Sequence, residues 1–177
     1  TSACGIAVYG DNYLGDDVYG QVFVCEPVHN LITRRTLTPD GVTFKAERVA
    51  GEEQKEFLAS TDEWFRPVHL RTGPDGALWI ADMYRVVVEH PQWLPKDFNK
   101  KVDWMQGSDK GRIYRVVKKN AKPKKLEPLE KLDAKRLLAT LNSDNGAVRD
   151  LGHMKLIWDG ARVTVDLARD YLDAPLF

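Results

Sequence analysis

Gly20-Gln-Val-Phe-Val-Cys-Glu26 and Gly76-Ala-Leu-Trp-Ile-Ala-Asp82 share one pattern: glycine, any residue, apolar, aromatic, apolar, small, acidic. Short apolar runs bounded by Gly, Pro, Asn and Asp are typical of β-strands. Each copy is preceded by another strand-like run and followed by one or two more. These further runs cover residues 5–9, 30–37, 42–48, 67–71 and 112–117. Four short strands in a repeat of this length are typical of a β-propeller blade.

The repeat predicts a mainly β fold: a partial β-propeller of about two four-stranded antiparallel blades, followed by a short α-helical hairpin. A propeller closes only with about four blades or more. Two blades alone would leave outer faces uncovered, so we expect neighbouring blades from further sequence of a parent chain or from another chain. The chain begins at Thr1, inside a strand-like run and without an initiator Met. We therefore expect it to be a piece of a longer protein.

The pattern divides the chain into three regions. Residues 1–117 carry the blades. Residues 118–130 are basic and contain two prolines, a composition typical of a solvated linker. Residues 131–177 begin with two runs in which apolar residues recur at helical spacing. The junction at residues 143–146 suits a helix end followed by a helix start, which predicts a helical hairpin and then a tail.

The composition excludes several classes of function. The 177 residues contain 26 Lys and Arg against 26 Asp and Glu. This balance argues against a general nucleic-acid binder, which needs a basic excess. No stretch approaches the roughly 20 apolar residues of a membrane span. Two cysteines are too few for a disulfide framework or a four-ligand zinc site. The sequence has no phosphate-binding glycine loop and no Cys-x-x-Cys-His haem motif, and we assign no metal ligand.

Strand pairing predicts a cluster of polar residues at one end of the blades. If the turn at residues 72–76 joins its strands symmetrically, antiparallel pairing places Arg66 near Met83 and Pro67 opposite Asp82. Aligning the two copies brings their equivalent residues to the same end, where propeller loops meet the central channel. The predicted cluster consists of Glu26, His29, Arg66, Asp82, Tyr84 and Arg85, with Glu89 and His90 beside it.

Each member of this cluster has a structural alternative. Asp82 and Glu26 end strands, so they either cap backbone amides of the next turn or bind a ligand or metal. Arg66 either pairs with Asp82 or a neighbouring aromatic ring, or it lines the channel and contacts an anion or cofactor. His29 and His90 lie near prolines in loops and are either structural or catalytic.

The same pairing places Cys4 opposite Cys25. The two cysteines then either form a disulfide, which would imply an oxidising compartment, or remain two buried free thiols. A register slip of one residue would move them to opposite faces of the sheet.

Residues 86–110 form an insertion that is too long for an ordinary hairpin link, and such loops are often functional. Trp93 and Trp104, together with His90, either offer a stacking surface for a sugar or a flat cofactor or pin the insertion onto the blades.

Several longer motifs occur in a fixed order, and they resemble one family. They are Ser2–Ile6, Gly20–Leu31, Asp40–Phe44, Glu56–Asp62, Trp64–Val68, Gly73–Tyr84 and Asp109–Val116. In this order they resemble the closing part of the propeller in the membrane-bound dehydrogenases of planctomycete-type bacteria, also called haem-binding CxxCH proteins. The resemblance covers residues 2 to about 117. Residues 133–158 resemble the first unit of the HEAT-type helical repeats that follow that propeller.

The resemblance implies a six-bladed propeller related to soluble quinoprotein sugar dehydrogenases, in the bacterial periplasm or cell envelope. The parent protein would oxidise a sugar or alcohol with pyrroloquinoline quinone and Ca²⁺, and haem c in a domain outside this chain would take the electrons. By blade position, Arg66 matches the arginine that contacts the quinone in those relatives. No catalytic residue is carried over, and the chain alone is expected to be inactive. The alternative is a non-catalytic propeller that binds glycan or protein partners through the insertion.

Overall fold

The chain folds into two antiparallel β-sheets followed by short helices, so the fold is mainly β, as the repeat predicts. A computed structural model of the protein describes residues 2–88 and 90–158. Within these ranges the strands form two open sheets and no closed barrel.

The first sheet is an antiparallel meander with one additional short strand. Its strands are β1 (Cys4–Val8), β2 (Val22–Glu26), β3 (Leu31–Asp40), β4 (Thr43–Arg48) and β5 (Leu58–Ala59). Strands β1 to β4 pair in chain order, and β5 pairs with the start of β3. Cys4 lies opposite Cys25, which confirms the predicted register. All of β4 is exposed, so β4 and the outer half of β3 form a projecting two-stranded ribbon.

The second sheet contains β6 (Pro67–Thr72), β7 (Leu78–Asp82) and β8 (Arg112–Val116). Pro67 lies opposite Asp82, and the Met83 N–H donates to the Arg66 carbonyl at 2.9 Å, so the predicted register is confirmed. The sheet has three strands among the described residues, where four were predicted. The chain after β8 is rich in lysine and contains Pro123, which has no backbone N–H to donate. Between β7 and β8, the insertion contains a 3₁₀ turn (Pro91–Trp93) and the short helix α1 (Lys96–Asn99).

The core lies between the two sheets and joins them into one unit. Its central side chains are at most 1% exposed: Phe23, Cys25 and Ile32 from the first sheet, and Leu70, Leu78 and Ile80 from the second. Burying an apolar side chain of this size contributes about 1.5–3 kcal/mol. The Tyr9 hydroxyl donates to the Gly76 carbonyl and ties the loop after β1 to the β6–β7 turn.

Strands β1 and β6, one from each sheet, lie side by side and run in the same direction. Near their starts, Cys4 Sγ lies 3.6 Å from the Val68 carbonyl oxygen, and near their ends the Gly10 N–H donates to Thr72 Oγ1 at 2.9 Å. Gly5 permits this approach, because a Cβ at that position would overlap the Val68 carbonyl oxygen.

This arrangement gives the β-structure two ends, which we name by one residue each. The Arg66 end contains residues 26–29, 64–67 and 82–86. The Asp75 end contains residues 10–13 and 72–76. The polar cluster predicted from the sequence belongs to the Arg66 end.

The basic segment 118–130 is mostly exposed, as expected of a solvated linker, and part of it lies against the Asp75 end. The Lys124 N–H donates to the Asp75 carbonyl at 2.9 Å, and Lys124 Nζ lies 2.9 and 3.0 Å from the two carboxylate oxygens of Asp11. Asp11 is 0% exposed. A buried carboxylate needs a charged partner, and Lys124 supplies it.

The helical hairpin is confirmed and docks at the same end. It contains α2 (Ala134–Ala139) and α3 (Gly146–Trp158), with 3₁₀ turns at Leu129–Lys131 and Thr140–Asn142. The Asn145 amide nitrogen donates to the Gly73 carbonyl at 2.8 Å, and the Gly146 N–H donates to the Gly10 carbonyl at 2.8 Å. The tail expected after the hairpin, residues 159–177, lies outside the described residues.

Across residues 2–88 and 90–158, every helix is too short or too polar to cross a lipid bilayer.

Candidate functional site

The Arg66 end brings together the polar residues that the repeat alignment predicts. Segments from both sheets meet there: the β2–β3 turn from the first sheet, and the start of β6 and the segment after β7 from the second. Glu26, His29, Arg66, Asp82, Tyr84 and Arg85 all lie on these segments. Glu89 lies outside the described residues.

Arg66 is buried and donates to main-chain carbonyls from both sheets. Its Nη1 lies 2.8 Å from the Pro27 oxygen and 3.3 Å from the Val28 oxygen, in the β2–β3 turn. Its Nε lies 2.9 Å from the Arg85 oxygen, and its Nη2 lies 2.9 Å from the Val86 oxygen. A guanidinium has five N–H groups, and these four bonds use four of them. The side chain therefore has little left to offer a ligand, and its contact with a quinone stays a prediction.

The electrostatic setting of Arg66 agrees with this geometry. The residue is 9% exposed. Burial lowers the pKa of its guanidinium from the usual value, and the nearby carboxylates of Glu63 and Asp82 oppose that shift. An arginine remains charged under such conditions. The Arg66 end thus has a buried positive charge surrounded by carbonyl dipoles.

Asp82 performs the capping role that was one of its two predicted alternatives. Its Oδ1 accepts the N–H groups of Arg66 and Tyr84, both at 2.8 Å. Asp82 is 3% exposed, and its Oδ2 is buried without a hydrogen-bond partner among the described residues. Oδ1 therefore holds the backbone just before β6 and the backbone just after β7. The binding of a cofactor by Asp82 stays a prediction.

Tyr84 and Arg85 form the turn that follows β7. Tyr84 has a φ of 50°, in the left-handed region that a tyrosine seldom adopts. Arg85 Nη1 donates to the carbonyls of Met83 and Tyr84, at 3.1 and 3.3 Å, and to that of Gly107. These bonds hold the turn against the far part of the insertion.

Arg112 was not among the predicted site residues, although it lies in this region. Its guanidinium carbon lies 3.7 Å from the centroid of the Tyr84 ring, which is a close cation–π contact. The Trp64 ring lies 5.6 Å from the Tyr84 ring. Arg112 is the register partner of Asp82 on β8, so the strand pairing contained a signal that could have identified it.

Glu26 and His29 lie at the rim of the Arg66 end. Glu26 Oε2 accepts the Ser2 N–H at 3.3 Å and lies 3.5 Å from His29 Nδ1. The side chain of His29 is 56% exposed. This geometry allows either a structural role or contact with a ligand.

The insertion residues occupy different environments. His90 accepts the Gln92 N–H at 3.3 Å and caps the 3₁₀ turn, which is a structural role. Trp93 is 72% exposed, so it does not pin the insertion to the sheets. Trp104 is partly buried. The stacking of a ligand on either tryptophan stays a prediction.

Cys4 and Cys25 face each other across β1 and β2, and both are free thiols. Burial raises the pKa of Cys25 to about 12, with a smaller contribution from Cys4. Direct antiparallel neighbours have Cα separations of about 4.5–5.5 Å, within the range that a disulfide spans. The pairing is therefore compatible with a disulfide, and the disulfide stays a prediction.

A comparison with known protein families identifies the β region. A model described as a domain of unknown function, DUF7133, matches residues 1–120. The chain belongs to the DUF7133 family. The DUF7133 match covers both sheets and ends at the start of the basic segment, so it includes the whole Arg66 end.

No curated protein and no solved structure matches the chain.

Proposed function

We propose that the two sheets are adjacent blades of a β-propeller in a dehydrogenase-like protein of the bacterial periplasm or cell envelope. Such a protein would oxidise a sugar or alcohol and pass the electrons to haem c in another domain. The fold supports the propeller part, and the motif order described above supports the dehydrogenase part. The remaining blades would come from sequence outside this chain, which alone would be inactive.

One observation carries the propeller proposal: β1 and β6 lie side by side in the same direction while the faces of their sheets share one core. In a propeller, the innermost strands of neighbouring blades have this relation around the central channel. In a two-layer sandwich, the strands are packed face to face across the core instead.

The Arg66 end fits a quinone cofactor in part. Pyrroloquinoline quinone is planar and carries carboxylates, so it needs cations and an aromatic face. Arg112, which lies over one face of the Tyr84 ring, supplies a cation there, and Trp64 supplies a second ring. Arg85 adds a further charge, although its Nη1 already donates to three carbonyls. Arg66 contributes a buried charge, but four of its N–H groups already donate to carbonyls. When bound, the quinone would accept the substrate's electrons, and these residues would hold and orient it.

The Ca²⁺ of the proposed cofactor set would need ligands from elsewhere. Within residues 2–88 and 90–158, no three His, Cys, Asp or Glu side chains are grouped so that they could hold a metal ion. Ca²⁺ takes six to eight oxygen ligands, so the other blades would have to provide them.

Titration of pyrroloquinoline quinone into the longest natural chain that contains these residues tests the cofactor proposal. We expect saturable uptake that weakens roughly tenfold in Arg112→Ala, because one charge-assisted contact is worth about 1.5–3 kcal/mol. Arg48→Ala is the matched control, since Arg48 pairs with Glu56 on the distant ribbon. Absence of uptake by the wild type, or equal weakening in both variants, would contradict the proposal.

A second function, binding of a glycan through the insertion, has support from the high exposure of Trp93, at 72%. Exposed tryptophans form stacking platforms for sugar rings. Retention of the chain on immobilised polysaccharides should be lost in Trp93→Ala and kept in Phe44→Ala, which removes an aromatic side chain that is 62% exposed on the ribbon. Equal retention of both variants would argue against this function.

A further inference from the structure

Four backbone carbonyls converge on one point at the Arg66 end, and they come from two separate parts of the chain. Pro27 and Val28 belong to the turn of the first sheet, and Arg85 and Val86 follow the last residues of β7. All four oxygens lie 2.8–3.3 Å from nitrogens of the Arg66 guanidinium. We call these four carbonyls the carbonyl cage.

Four carbonyl oxygens that face one site need hydrogen-bond donors there, and a cation meets their dipoles favourably. Carbonyl oxygens that point toward one another repel, and a buried carbonyl without a donor carries a desolvation cost. The guanidinium satisfies all four oxygens at once, because its N–H groups lie in one plane and point outward in a fixed fork. A lysine ammonium has three N–H groups and could not satisfy all four.

Asp82 orients the residue from the backbone side. Its Oδ1 accepts the Arg66 N–H and the Tyr84 N–H, both at 2.8 Å. Because Asp82 is 3% exposed, these two bonds are shielded from water and fix the start of β6 relative to the end of β7.

We propose that Arg66 is a built-in cation that closes the carbonyl cage, joins the two sheets at this end, and anchors the base of the insertion. Arg66 is thus a positioning residue. The cage itself is a site for a planar cation, and with the side chain removed it binds guanidinium from solution.

The link to the insertion follows from which carbonyls the cage contains. Val86 is the first residue of the insertion, and Arg85 holds the Gly107 carbonyl near its far end. Loss of the Arg66 bonds to Arg85 and Val86 would therefore release both ends of the insertion together. The effect should be visible in backbone amides that lie far from Arg66 in sequence.

Chemical rescue of Arg66→Ala tests the proposal on the full chain. The substitution should lower the melting temperature by roughly 10 °C, because it leaves buried polar groups unpaired. Millimolar guanidinium chloride should restore most of that loss, whereas equal concentrations of potassium or tetramethylammonium chloride should not. Hydrogen exchange of amides in residues 91–110 should accelerate in the variant and slow again with guanidinium.

Two variants control for non-specific effects. Arg115→Ala removes the same atoms from a side chain that is 46% exposed and pairs with the carboxylate of Asp75, so guanidinium should give it no comparable recovery. Arg66→Lys fills the cage with an ammonium, so guanidinium should leave its melting temperature unchanged. Recovery of Arg115→Ala to the same extent, or no recovery of Arg66→Ala, would overturn the proposal.

The wild type provides a measurement that does not depend on folding of a variant. A guanidinium held by four carbonyls should show separate, slowly exchanging Nη–H signals in ¹⁵N-resolved NMR spectra. Averaged signals for Arg66, exchanging as fast as those of Arg115, would overturn the proposal. The NMR result does not depend on the quinone titration, since Arg66 can close the carbonyl cage in a protein that binds no quinone.

Discussion

At the scale of single residues, the side chain of Asn145 bonds both to helix α3 and to the β6–β7 turn. Its Oδ1 accepts the Val148 N–H at 3.0 Å and caps α3, while its Nδ2 donates to the Gly73 carbonyl at 2.8 Å. The residue is 1% exposed. Asn145→Ala should lower the free energy of unfolding by about 2–3 kcal/mol, because it removes a cap and leaves a buried carbonyl unpaired.

Asn145→Ser separates the two roles of this residue. Serine is a good N-cap but is too short to reach Gly73 as asparagine does. In urea denaturation, we expect Asn145→Ser to lose about half as much stability as Asn145→Ala. Equal losses would mean that the cap contributes nothing, and no loss in either variant would mean that the hairpin is not docked at the Asp75 end.

The buried side chains of Cys25 and Tyr9 make the free energy of unfolding depend on pH in the alkaline range. Burial raises the pKa of Cys25 from 9.0 to about 12 and that of Tyr9 from 10.0 to about 12. Between pH 9 and 12 the unfolded chain therefore loses protons that the folded chain keeps. Stability should be complete below pH 9 and should fall as the pH rises toward 12.

The contribution of Cys25 to this decline can be measured directly with reduced protein. The free energy of unfolding of the wild type and of Cys25→Ala should be compared from pH 8 to 11. The variant starts from a lower stability but should fall less steeply, because it lacks one group that titrates only on unfolding. Parallel curves would show that Cys25 is not buried as described.

At the scale of elements, the close approach of β1 and β6 depends on Gly5. A Cβ there would overlap the Val68 carbonyl oxygen, and the φ of 52° is strained for other residues. Gly41 has a similar φ of 61°, but a Cβ there would meet nothing within 4 Å. Gly5→Ala should therefore cost about 1–3 kcal/mol more than Gly41→Ala, since only the first substitution forces β1 and β6 apart.

Both glycines have a positive φ, so the difference between the two variants reports packing rather than backbone strain. Thermal or urea unfolding of each variant gives the free energies of unfolding to be compared. If Gly5→Ala and Gly41→Ala lose the same stability, β1 and β6 do not lie in contact.

The elements that could be predicted from the sequence are those with a clear repeat pattern. The copies at residues 20–26 and 76–82 predicted β2 and β7 and the pairs Cys4–Cys25 and Pro67–Asp82, because alternation and turn symmetry fix register. The helical hairpin was predictable from apolar spacing. The three strands of the second sheet match three strand-like runs in the sequence, at residues 67–71, 76–82 and 112–117. The fourth strand was expected only because the first copy of the repeat has four runs.

The contacts of the candidate site were predictable only in position. Strand pairing placed Arg66 and Asp82 together. The acceptors of the Arg66 side chain are backbone carbonyls, and because every residue has one, the sequence does not show which carbonyls are used. Composition likewise predicted a solvated basic segment but not the point at which it contacts the sheets. The contact between Lys124 and the buried Asp11 joins residues more than 100 positions apart, and no local pattern connects them.

At the scale of the whole molecule, both sheets carry apolar side chains on faces that the described residues leave uncovered. On the first sheet, Ile6 and Val8 are 69% and 57% exposed. On the second sheet, Ile113 is 70% exposed. Exposed apolar faces of this kind mark surfaces that pack against another element. In the proposed propeller, each face packs against a neighbouring blade.

The structure of the longest natural chain that contains these residues, determined by cryo-electron microscopy or crystallography, tests the propeller proposal most directly. We predict a closed ring of blades in which β1 and β6 line the central channel, one blade covers Ile6 and Val8, and another covers Ile113. A structure in which both faces remain in solvent, or in which the two sheets form an isolated sandwich, would contradict it.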